Sequence, residues 1–269
     1  MDGELKLWGT SLTIPRSCFV LEVIQPGLLV VKYRRGHGTG KYVNVAVLEG
    51  DEIKILDERD TNPYACPGPV NSLLGFGTSA NTHDEPVNVM VQLAASMRAH
   101  GRGGSLLVVP HDVETWRESI IWPAPYAVLP AYRELADLMR QDAETRNSRL
   151  WQEALFDAVE AMAGLTAVDG ATVINDQYEL LAFGAKITRR DGGARVEQVV
   201  MTEPVVGHVP SVTLPLQLGG TRHFSAAQFV LDQRNAVALV ASQDGRFTVF
   251  AWSLKGEMVH AHRVESLLL

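Results

Sequence analysis

The sequence has few cysteines and no long hydrophobic run. Its 269 residues include two cysteines, Cys18 and Cys66, which form neither a CxxC pair nor a disulfide framework. No apolar stretch approaches the roughly 20 residues needed to cross a bilayer, and the acidic start Met-Asp-Gly-Glu lacks the regions of a secretory signal. We therefore expect a cytoplasmic protein without a membrane partner, with both cysteines as small core residues.

Basic charge is also scarce. Lysine and arginine number 24 against 31 aspartates and glutamates, which gives a formal net charge of −7 at pH 7. Proteins that bind nucleic-acid polymers need basic fields to displace phosphate counterions, so a polymer partner is not expected. The hydrophobic fraction of 46% is that of a globular chain, and its length suits one large domain or two unequal ones.

The first 85 residues are rich in short β-branched runs separated by turn residues. We expect a meander of hairpins followed by an irregular connecting segment, because proline and glycine accumulate between residues 61 and 86. This pattern predicts an N-terminal β-rich subdomain over residues 1–85. The expected strands are Phe19–Ile24, Leu28–Tyr33, Tyr42–Leu48 and Glu52–Leu56.

From residue 86 onwards helical and strand-like patterns alternate. Apolar residues at helical spacing over 87–98 precede a glycine cluster, and Ser105–Val109 is a continuous apolar run typical of a strand covered on both faces. A long helical pattern covers Ala131–Met162, with a break near Asn147-Ser148. Further elements are expected at Thr172–Asn175, Glu179–Phe183, Ala236–Ala241 and Arg246–Ala251 (strands), Arg189–Ala194 (polar loop) and Thr221–Gln233 (helix). The alternation predicts an α/β domain over residues 86–269.

Two segments have some features of ligand sites but lack required residues. Arg34–Tyr42 superficially resembles a phosphate loop, but its glycine spacing is one residue short and Tyr42 stands where Ser or Thr must ligate magnesium. We interpret it as a glycine-rich hairpin turn. His260 and His262 alternate on a predicted strand and so face the same way, which suits metal ligation. Because no third ligand is identifiable and surface histidines are common, we do not expect a metal site there.

A stronger feature is the sequence Val168-Asp169-Gly170-Ala171, which lies between a predicted helix and a predicted strand. It places a carboxylate at a strand entrance, where small residues let another group approach the backbone. The alternative is a turn in which Asp169 caps its own backbone.

A second element, Gly219–Ala227, has chemistry that fits the first. Two glycines free the backbone, Thr221 is a good N-cap, and a helix follows. The orphan amides of the helix start and the side chains of Arg222 and His223 then converge, and such a combination binds an anion. The alternative is an ordinary capped helix with a surface arginine. Together with Asp169, this cradle indicates a nucleotide or phosphodiester site.

The order of these elements resembles the diadenylate cyclase (DAC) domain family. Its enzymes carry a DGA motif and then a GTRHRAA motif, and they condense two ATP molecules into cyclic di-AMP. Asp169–Ala171 and Gly220–His223 match these motifs, within a resemblance that spans about Val87–Trp252. The resemblance implies a mixed central β-sheet flanked by helices, with Gly104–Val109 as the first core strand. The N-terminal region has no counterpart in the enzymes, and the whole chain is more similar to a divergent branch, DACNV, regarded as nucleotide sensors.

The resemblance also implies residue roles. Asp169 matches the aspartate that assists the attacking ribose hydroxyl, Gly170 and Ala171 match residues that line the base and ribose, and Thr221–His223 match the phosphate-contacting part. Phe224, in place of an arginine, can stack on a base. The implied ligand-binding set is Asp169, Gly170, Ala171, Gly220, Thr221, Arg222, His223, Phe224 and Ser242.

Three departures from the family pattern bear on catalysis. The second arginine of the RHR motif is Phe224, the histidine before DGA is Val168, and a Ser-Glu-Glu stretch becomes Ser242-Gln243-Asp244 with one residue deleted. The last two places contribute metal-binding groups in active cyclases. Losing a metal that neutralises charge slows phosphoryl transfer on the order of a thousandfold, whereas helix amides and Arg222 still favour binding. Asp244 is the candidate substitute ligand for Mg²⁺ or Mn²⁺.

The leading expectation is therefore a sensor that binds an adenine nucleotide, a nucleotide second messenger or a related phosphodiester with little turnover. It would signal to an effector protein or through a homo-oligomer. The first alternative is an active diadenylate cyclase with Asp169 as the catalytic residue, which uses Mg²⁺ or Mn²⁺ with the nucleotide and requires a symmetric dimer. The second alternative is a structural or protein-interaction module.

Overall fold

The computed structural model describes residues 18–34, 42–56 and 88–269. The chain divides into two units, one ending at Leu56 and the other beginning at Asp57. The boundary predicted between residues 85 and 86 lies outside the described residues, as do Cys66, the glycines of the hairpin turn expected within Arg34–Tyr42, and the connecting segment. These stay predictions.

The first unit is a four-stranded antiparallel meander in the order β1-β2-β3-β4. Its strands are β1 (Phe19–Gln25), β2 (Leu28–Arg34), β3 (Tyr42–Glu49) and β4 (Glu52–Ile55). Each differs from its predicted range by one residue at the C-terminal end, so the predicted meander is confirmed. Cys18, just before β1, is an exposed free thiol. The prediction of a core cysteine at that position was therefore wrong, because Cys18 lies at the outer end of an edge strand.

One face of this sheet is apolar. The register pairs Leu21 with Val31, Val31 with Ala46 and Ala46 with Ile55, and directly paired residues point to the same side. Phe19, Val23 and Ile53 extend this face, and all three are more than half exposed. The first unit therefore presents β-branched and aromatic side chains to solvent.

The second unit is built on a nine-stranded mixed sheet in the order β10-β9-β13-β12-β11-β5-β7-β8-β6. The pairs β5–β7 and β13–β9 are parallel and the other pairs are antiparallel. The strands are β5 (Gly104–Val109), β6 (Tyr126–Tyr132), β7 (Ala171–Asn175), β8 (Leu180–Ala185), β9 (Val199–Thr202), β10 (Ser211–Thr213), β11 (Val237–Ala241), β12 (Phe247–Ser253) and β13 (Met258–Arg263).

Helices cover both faces of this sheet, which makes the unit α/β as predicted. The helices are α1 (Val89–Ala99), α2 (Glu134–Met139), α3 (Ala143–Arg146), α4 (Arg149–Leu165), α5 (Pro215–Leu218) and α6 (Thr221–Asp232). Leu93 of α1 and Leu155 of α4 belong to the core on one face, and Phe229 of α6 belongs to the core on the other. The central strand β5 is buried along its whole length, as its apolar run predicted. No helix in the described part of the chain is long and apolar enough to span a membrane.

The long helix predicted over Ala131–Met162 was wrong in its first half. The break near Asn147-Ser148 is real, since Ser148 caps α4 by accepting a hydrogen bond from the Trp151 amide at 3.2 Å. Before it lie the two short helices α2 and α3, and Ala131 belongs to strand β6, which pairs with β8. That pairing joins residues distant in sequence, so the local helical pattern did not indicate it.

Candidate functional site

Four strand ends meet at one edge of the large sheet. The register pairs Gly104 at the start of β5 with Ala241 at the end of β11, and it pairs Ala171 at the start of β7 with Ala185 at the end of β8. Ser105 in turn pairs with Ala171. A cavity of about 440 Å³ lies at this edge, between the turn before β7 and the start of α6.

The structure brings most of the predicted site residues to this cavity. Both motif elements contribute to its walls, although some fifty residues separate them in the sequence. The predicted residues that line it are Asp169, Gly170, Ala171, Gly220, Thr221, Arg222, His223 and Ser242. Phe224 and Asp244 do not line it. We call this space the main cavity.

The carboxylate of Asp169 is exposed at the mouth of the main cavity. Helix α4 ends in tight turns in which the Val168 amide donates to the Leu165 carbonyl at 3.1 Å. The chain then passes through Gly170, whose φ of 107° favours glycine. This local geometry turns Asp169 outward immediately before the buried strand β7.

The start of α6 forms the opposite wall. The N-cap residue is Gly220 and Thr221 is the first residue of the helix, so the prediction of Thr221 as N-cap was wrong by one position. Gly220 has extended backbone dihedrals and no side chain to cap the helix. The first amides of a helix have no intrahelical acceptor, and two of them belong to Thr221 and Arg222, which line the cavity.

Gly219 serves a steric purpose here. Its φ of 173° is ordinary extended backbone, but a Cβ atom on it would lie 2.2 Å from Nδ1 of His223. The missing side chain therefore makes room for the His223 ring. The conformational freedom expected of Gly219 is not required, because any residue can adopt its backbone conformation.

The His223 ring is a core group. The residue is 1% exposed, its Nε2 lies 3.3 Å from Oγ1 of Thr248, and its ring packs edge-on against Phe250. Burial lowers the pKa of His223 to about 4. The imidazole is therefore neutral at pH 7 and packs against β12, although His223 also lines the main cavity. Its expected phosphate contact stays a prediction.

Two cations border the main cavity. Arg222 is exposed, and its Nη1 would lie 3.0 Å from a Cβ atom placed on Gly103, which fixes the guanidinium beside the loop before β5. Lys186, directly after β8, is also exposed and lines the cavity. Among the described residues no carboxylate forms an ion pair with either side chain. Sequence reasoning missed Lys186, although a lysine just after a strand that ends at this edge was the available signal.

Phe224 points away from the main cavity. Its ring lies beneath Arg195, with the guanidinium carbon 5.4 Å from the ring centroid. Both residues line a separate hollow of about 320 Å³, which also includes Arg189. Of the predicted ligand-binding residues, Phe224 therefore lines this hollow and not the main cavity, because neighbouring residues on a helix point about 100° apart. Its expected ligand contact stays a prediction. We call this space the adjacent hollow.

The residues at the positions that the resemblance links to metal binding do not form a metal-binding group. Val168 is apolar, Nε2 of Gln243 donates to the Arg102 carbonyl at 3.2 Å, and Asp244 pairs with Arg246 at 3.5 Å. In the described ranges no three His, Cys, Asp or Glu side chains gather in a way that could hold a metal ion. These residues do not fit a divalent cation held by the protein.

His260 and His262 lie on one face of β13, as their alternation predicted. They are 3% and 4% exposed, so the expectation of surface histidines was wrong. Nδ1 of His262 lies 2.7 Å from Oγ1 of Thr202, and burial lowers the pKa of His262 to about 3 and also lowers that of His260. Both rings are neutral core groups at pH 7.

A cavity of similar volume, about 440 Å³, lies at the opposite edge of the sheet, where Val109 ends β5. Some of its polar side chains already bind one another or the backbone. Asp232 accepts from the Arg190 amide and from Gln228, and Gln233 is bonded to Thr115. Arg234 also lines this cavity and stacks on Trp252. The main cavity is the better candidate for an anionic ligand, because it combines two exposed cations with the start of a helix.

Comparison with known proteins does not identify a ligand for this site. The chain matches no known protein-family model, and no curated protein matches its sequence. What the main cavity binds must therefore be inferred from its own side chains and backbone.

Proposed function

We propose that the main cavity binds an adenine nucleotide, a nucleotide second messenger or a related phosphodiester with little or no turnover. The observation that carries this proposal is the convergence of Arg222, Lys186 and the uncapped start of α6 on one cavity. Helix amides, a planar guanidinium and an ammonium are the groups that proteins use to bind phosphate.

The size and composition of the cavity support this ligand class. A volume of about 440 Å³ falls within the range of small-molecule sites. Apolar walls from Ala171, Ile187 and Val240 alternate with the polar groups, which suits a ligand with a flat base and a charged end. The DGA-like and Thr-Arg-His motifs, which resemble those of diadenylate cyclases, favour adenine as that base.

We infer low turnover from the small number of acidic residues that line the main cavity. Among the described residues that line the main cavity, Asp169 is the one carboxylate. Phosphoryl transfer depends on positioning and on neutralising charge that moves between oxygens. Asp244 is engaged by Arg246, and within the described ranges no second carboxylate lines the main cavity beside Asp169. We therefore propose a sensor that reports nucleotide occupancy to an effector protein or to another copy of itself.

Calorimetric titration of the full chain with ATP and with cyclic di-AMP tests the binding proposal. We expect saturable binding of at least one of them, and Arg222→Gln is expected to weaken it. If neither ligand gave any heat of binding at millimolar concentration, the proposal would be overturned. That result would leave a structural or protein-interaction role.

An active cyclase remains the second candidate because the Asp169 carboxylate is exposed at the cavity. Incubation with ATP and Mn²⁺ followed by chromatography distinguishes the two. The sensor proposal predicts unchanged ATP. Cyclic di-AMP formation that Asp169→Asn abolishes would establish the cyclase instead, and the asparagine variant is nearly isosteric, so a folding defect is not expected.

A further inference from the structure

The adjacent hollow continues from the main cavity along the same surface. Ile187 and Ser225 line both spaces, so the two spaces adjoin. The hollow adds about 320 Å³ and is bordered by Arg189, Arg195 and Phe224. The two spaces are therefore close enough for one ligand larger than a mononucleotide to contact both.

The pairing of Arg195 with Phe224 makes a flat cationic platform. The guanidinium carbon lies 5.4 Å from the centroid of the Phe224 ring, within the range of a cation–π interaction. A stacked guanidinium keeps its N–H groups at the edge, and the guanidinium of the exposed Arg195 can stack on a nucleobase through its second face. Arg195 thereby also supplies a cation close to the position where Phe224 replaced an arginine.

Charge in the adjacent hollow is not neutralised. Arg189 and Arg195 are exposed, and across the described ranges neither forms an ion pair with a carboxylate. By contrast, Nε of Arg190, one residue after Arg189, lies 2.8 Å from Glu118. Arg189 and Arg195 line the adjacent hollow, and Arg222 and Lys186 line the main cavity, so cations border both spaces.

We infer that the adjacent hollow is a second nucleotide subsite and that the preferred ligand class is a dinucleotide phosphodiester. This inference rests on the proposed function of the main cavity. The first nucleotide occupies the main cavity with its phosphate at Arg222. The second base stacks on the guanidinium of Arg195, which Phe224 supports from below, and Arg189 binds the accompanying phosphate. The chain then distinguishes a dinucleotide from a mononucleotide through residues that no mononucleotide reaches.

The test compares AMP with a 5′-phosphorylated linear adenosine dinucleotide, each titrated into the full chain. One stacked base with a charge-assisted phosphate contact is expected to make the dinucleotide bind at least about tenfold more tightly than AMP. Arg189→Gln and Arg195→Gln are each expected to reduce that ratio to about threefold or less while AMP affinity stays unchanged. Phe224→Leu keeps an apolar group but removes the platform, so it is expected to give a similar loss.

The matched control is Arg149→Gln, since Arg149 is an exposed arginine of α4 that pairs with Glu153. It is expected to leave both affinities unchanged, and circular dichroism confirms that each variant is folded. A wild-type ratio near one, or equal weakening of AMP and the dinucleotide by the hollow variants, would overturn the second subsite. If ATP binds while that ratio is one, only this inference fails. If ATP, AMP and the dinucleotide all fail to bind, the proposed function fails with it.

Discussion

A Cβ atom on Gly170 would lie 2.5 Å from the carbonyl carbon of Gly184 and 2.7 Å from its carbonyl oxygen. Both residues have positive φ, 107° and 63°. Gly184 is itself confined, because a Cβ atom there would come within 2.9 Å of the Tyr126 ring. The start of β7 and the end of β8 therefore meet through two residues without side chains, and this contact fixes the turn that carries Asp169.

Gly170→Ala is expected to destabilise the protein by about 2–3 kcal/mol, because it combines a left-handed backbone conformation with an overlap of backbone atoms. Urea-induced unfolding followed by circular dichroism measures this loss. The displaced turn also carries Asp169 away from its place, so ATP affinity is expected to fall in the same variant.

Gly192→Ala is the matched control. Gly192 also has a positive φ, 71°, but its Cβ atom would meet nothing within 4 Å. It is expected to cost about 1 kcal/mol, which is the conformational penalty alone. Equal losses in the two variants would contradict the close approach of Gly170 and Gly184 as the cause.

Local hydrophobicity patterns in the sequence predicted those strands that are bounded by turn residues or buried along their whole length. The meander strands follow from short β-branched runs between turns, and β5 follows from its continuous apolar run. Strand β6 was missed because Pro130 lies within it and its partner β8 lies about fifty residues away in the sequence. Lys186 was missed for the same reason, since only the sheet register brings the end of β8 next to β7.

The direction of side chains on α6 was predictable in part. His223, Ala226, Ala227 and Val230 follow helical spacing and are all buried. That pattern places the His223 ring in the core, whereas the motif resemblance suggested a phosphate contact. The position of Arg195 over Phe224 had no sequence signal, because a loop distant in the chain brings the two together.

Arg222→Gln is expected to weaken ATP binding about 10- to 100-fold, since it removes a charge-assisted hydrogen bond to phosphate. Lys186→Gln is expected to cost less, because a flexible ammonium binds phosphate as a point charge. Titration calorimetry at low and high salt measures both effects, and the loss for each variant is expected to shrink as salt screens the exposed charges.

The control for these two variants is Arg234→Gln. Arg234 is exposed, lines the cavity at the opposite sheet edge and stacks on Trp252 at 4.0 Å. The Arg234→Gln variant removes one positive charge from the same unit as Arg222→Gln does. Its affinity for ATP is expected to stay at the wild-type value. A comparable loss there would mean that ATP responds to net charge and not to the main cavity.

Glu179→Gln is expected to destabilise the protein by about 2 kcal/mol without changing ATP affinity. Glu179 is buried, and its Oε1 lies 2.9 Å from Nε of Arg133 and 3.1 Å from Nη2 of Arg140. Its Oε2 accepts a hydrogen bond from Nδ2 of Asn175 at 2.9 Å. Burial alone raises the pKa of Glu179, but these hydrogen bonds and charges outweigh it and hold the pKa below its ordinary value. The neutral variant leaves the two arginines without their carboxylate.

Glu153→Gln provides the comparison, since Glu153 forms an exposed pair with Arg149 one helical turn away at 2.7 Å. Its expected cost is about 0.5 kcal/mol or less. Denaturant titration of both variants at neutral pH separates the buried network from the surface pair. Similar small losses would show that solvent screens the Glu179 network as fully as it screens the surface pair.

The buried histidines predict a loss of stability in mild acid. Burial lowers the pKa of His223 to about 4 and that of His262 to about 3, whereas in the unfolded chain histidine titrates near 6.5. Below about pH 6.5 the unfolded state therefore binds protons that the folded state does not. Each of the two residues is expected to cost about 1.4 kcal/mol per pH unit until its folded pKa is reached, and above pH 6.5 their contribution is constant.

Replacing one of these histidines isolates its share of this dependence. His262→Gln keeps a polar group beside Thr202, whose hydroxyl lies 2.7 Å from Nδ1 of His262, but it cannot take up a proton. The slope of unfolding free energy against pH between about 6.5 and 5 is therefore expected to fall by about 1.4 kcal/mol per pH unit. If the variant kept the wild-type slope, His262 would have to bind its proton equally in the folded and unfolded states, in conflict with its burial.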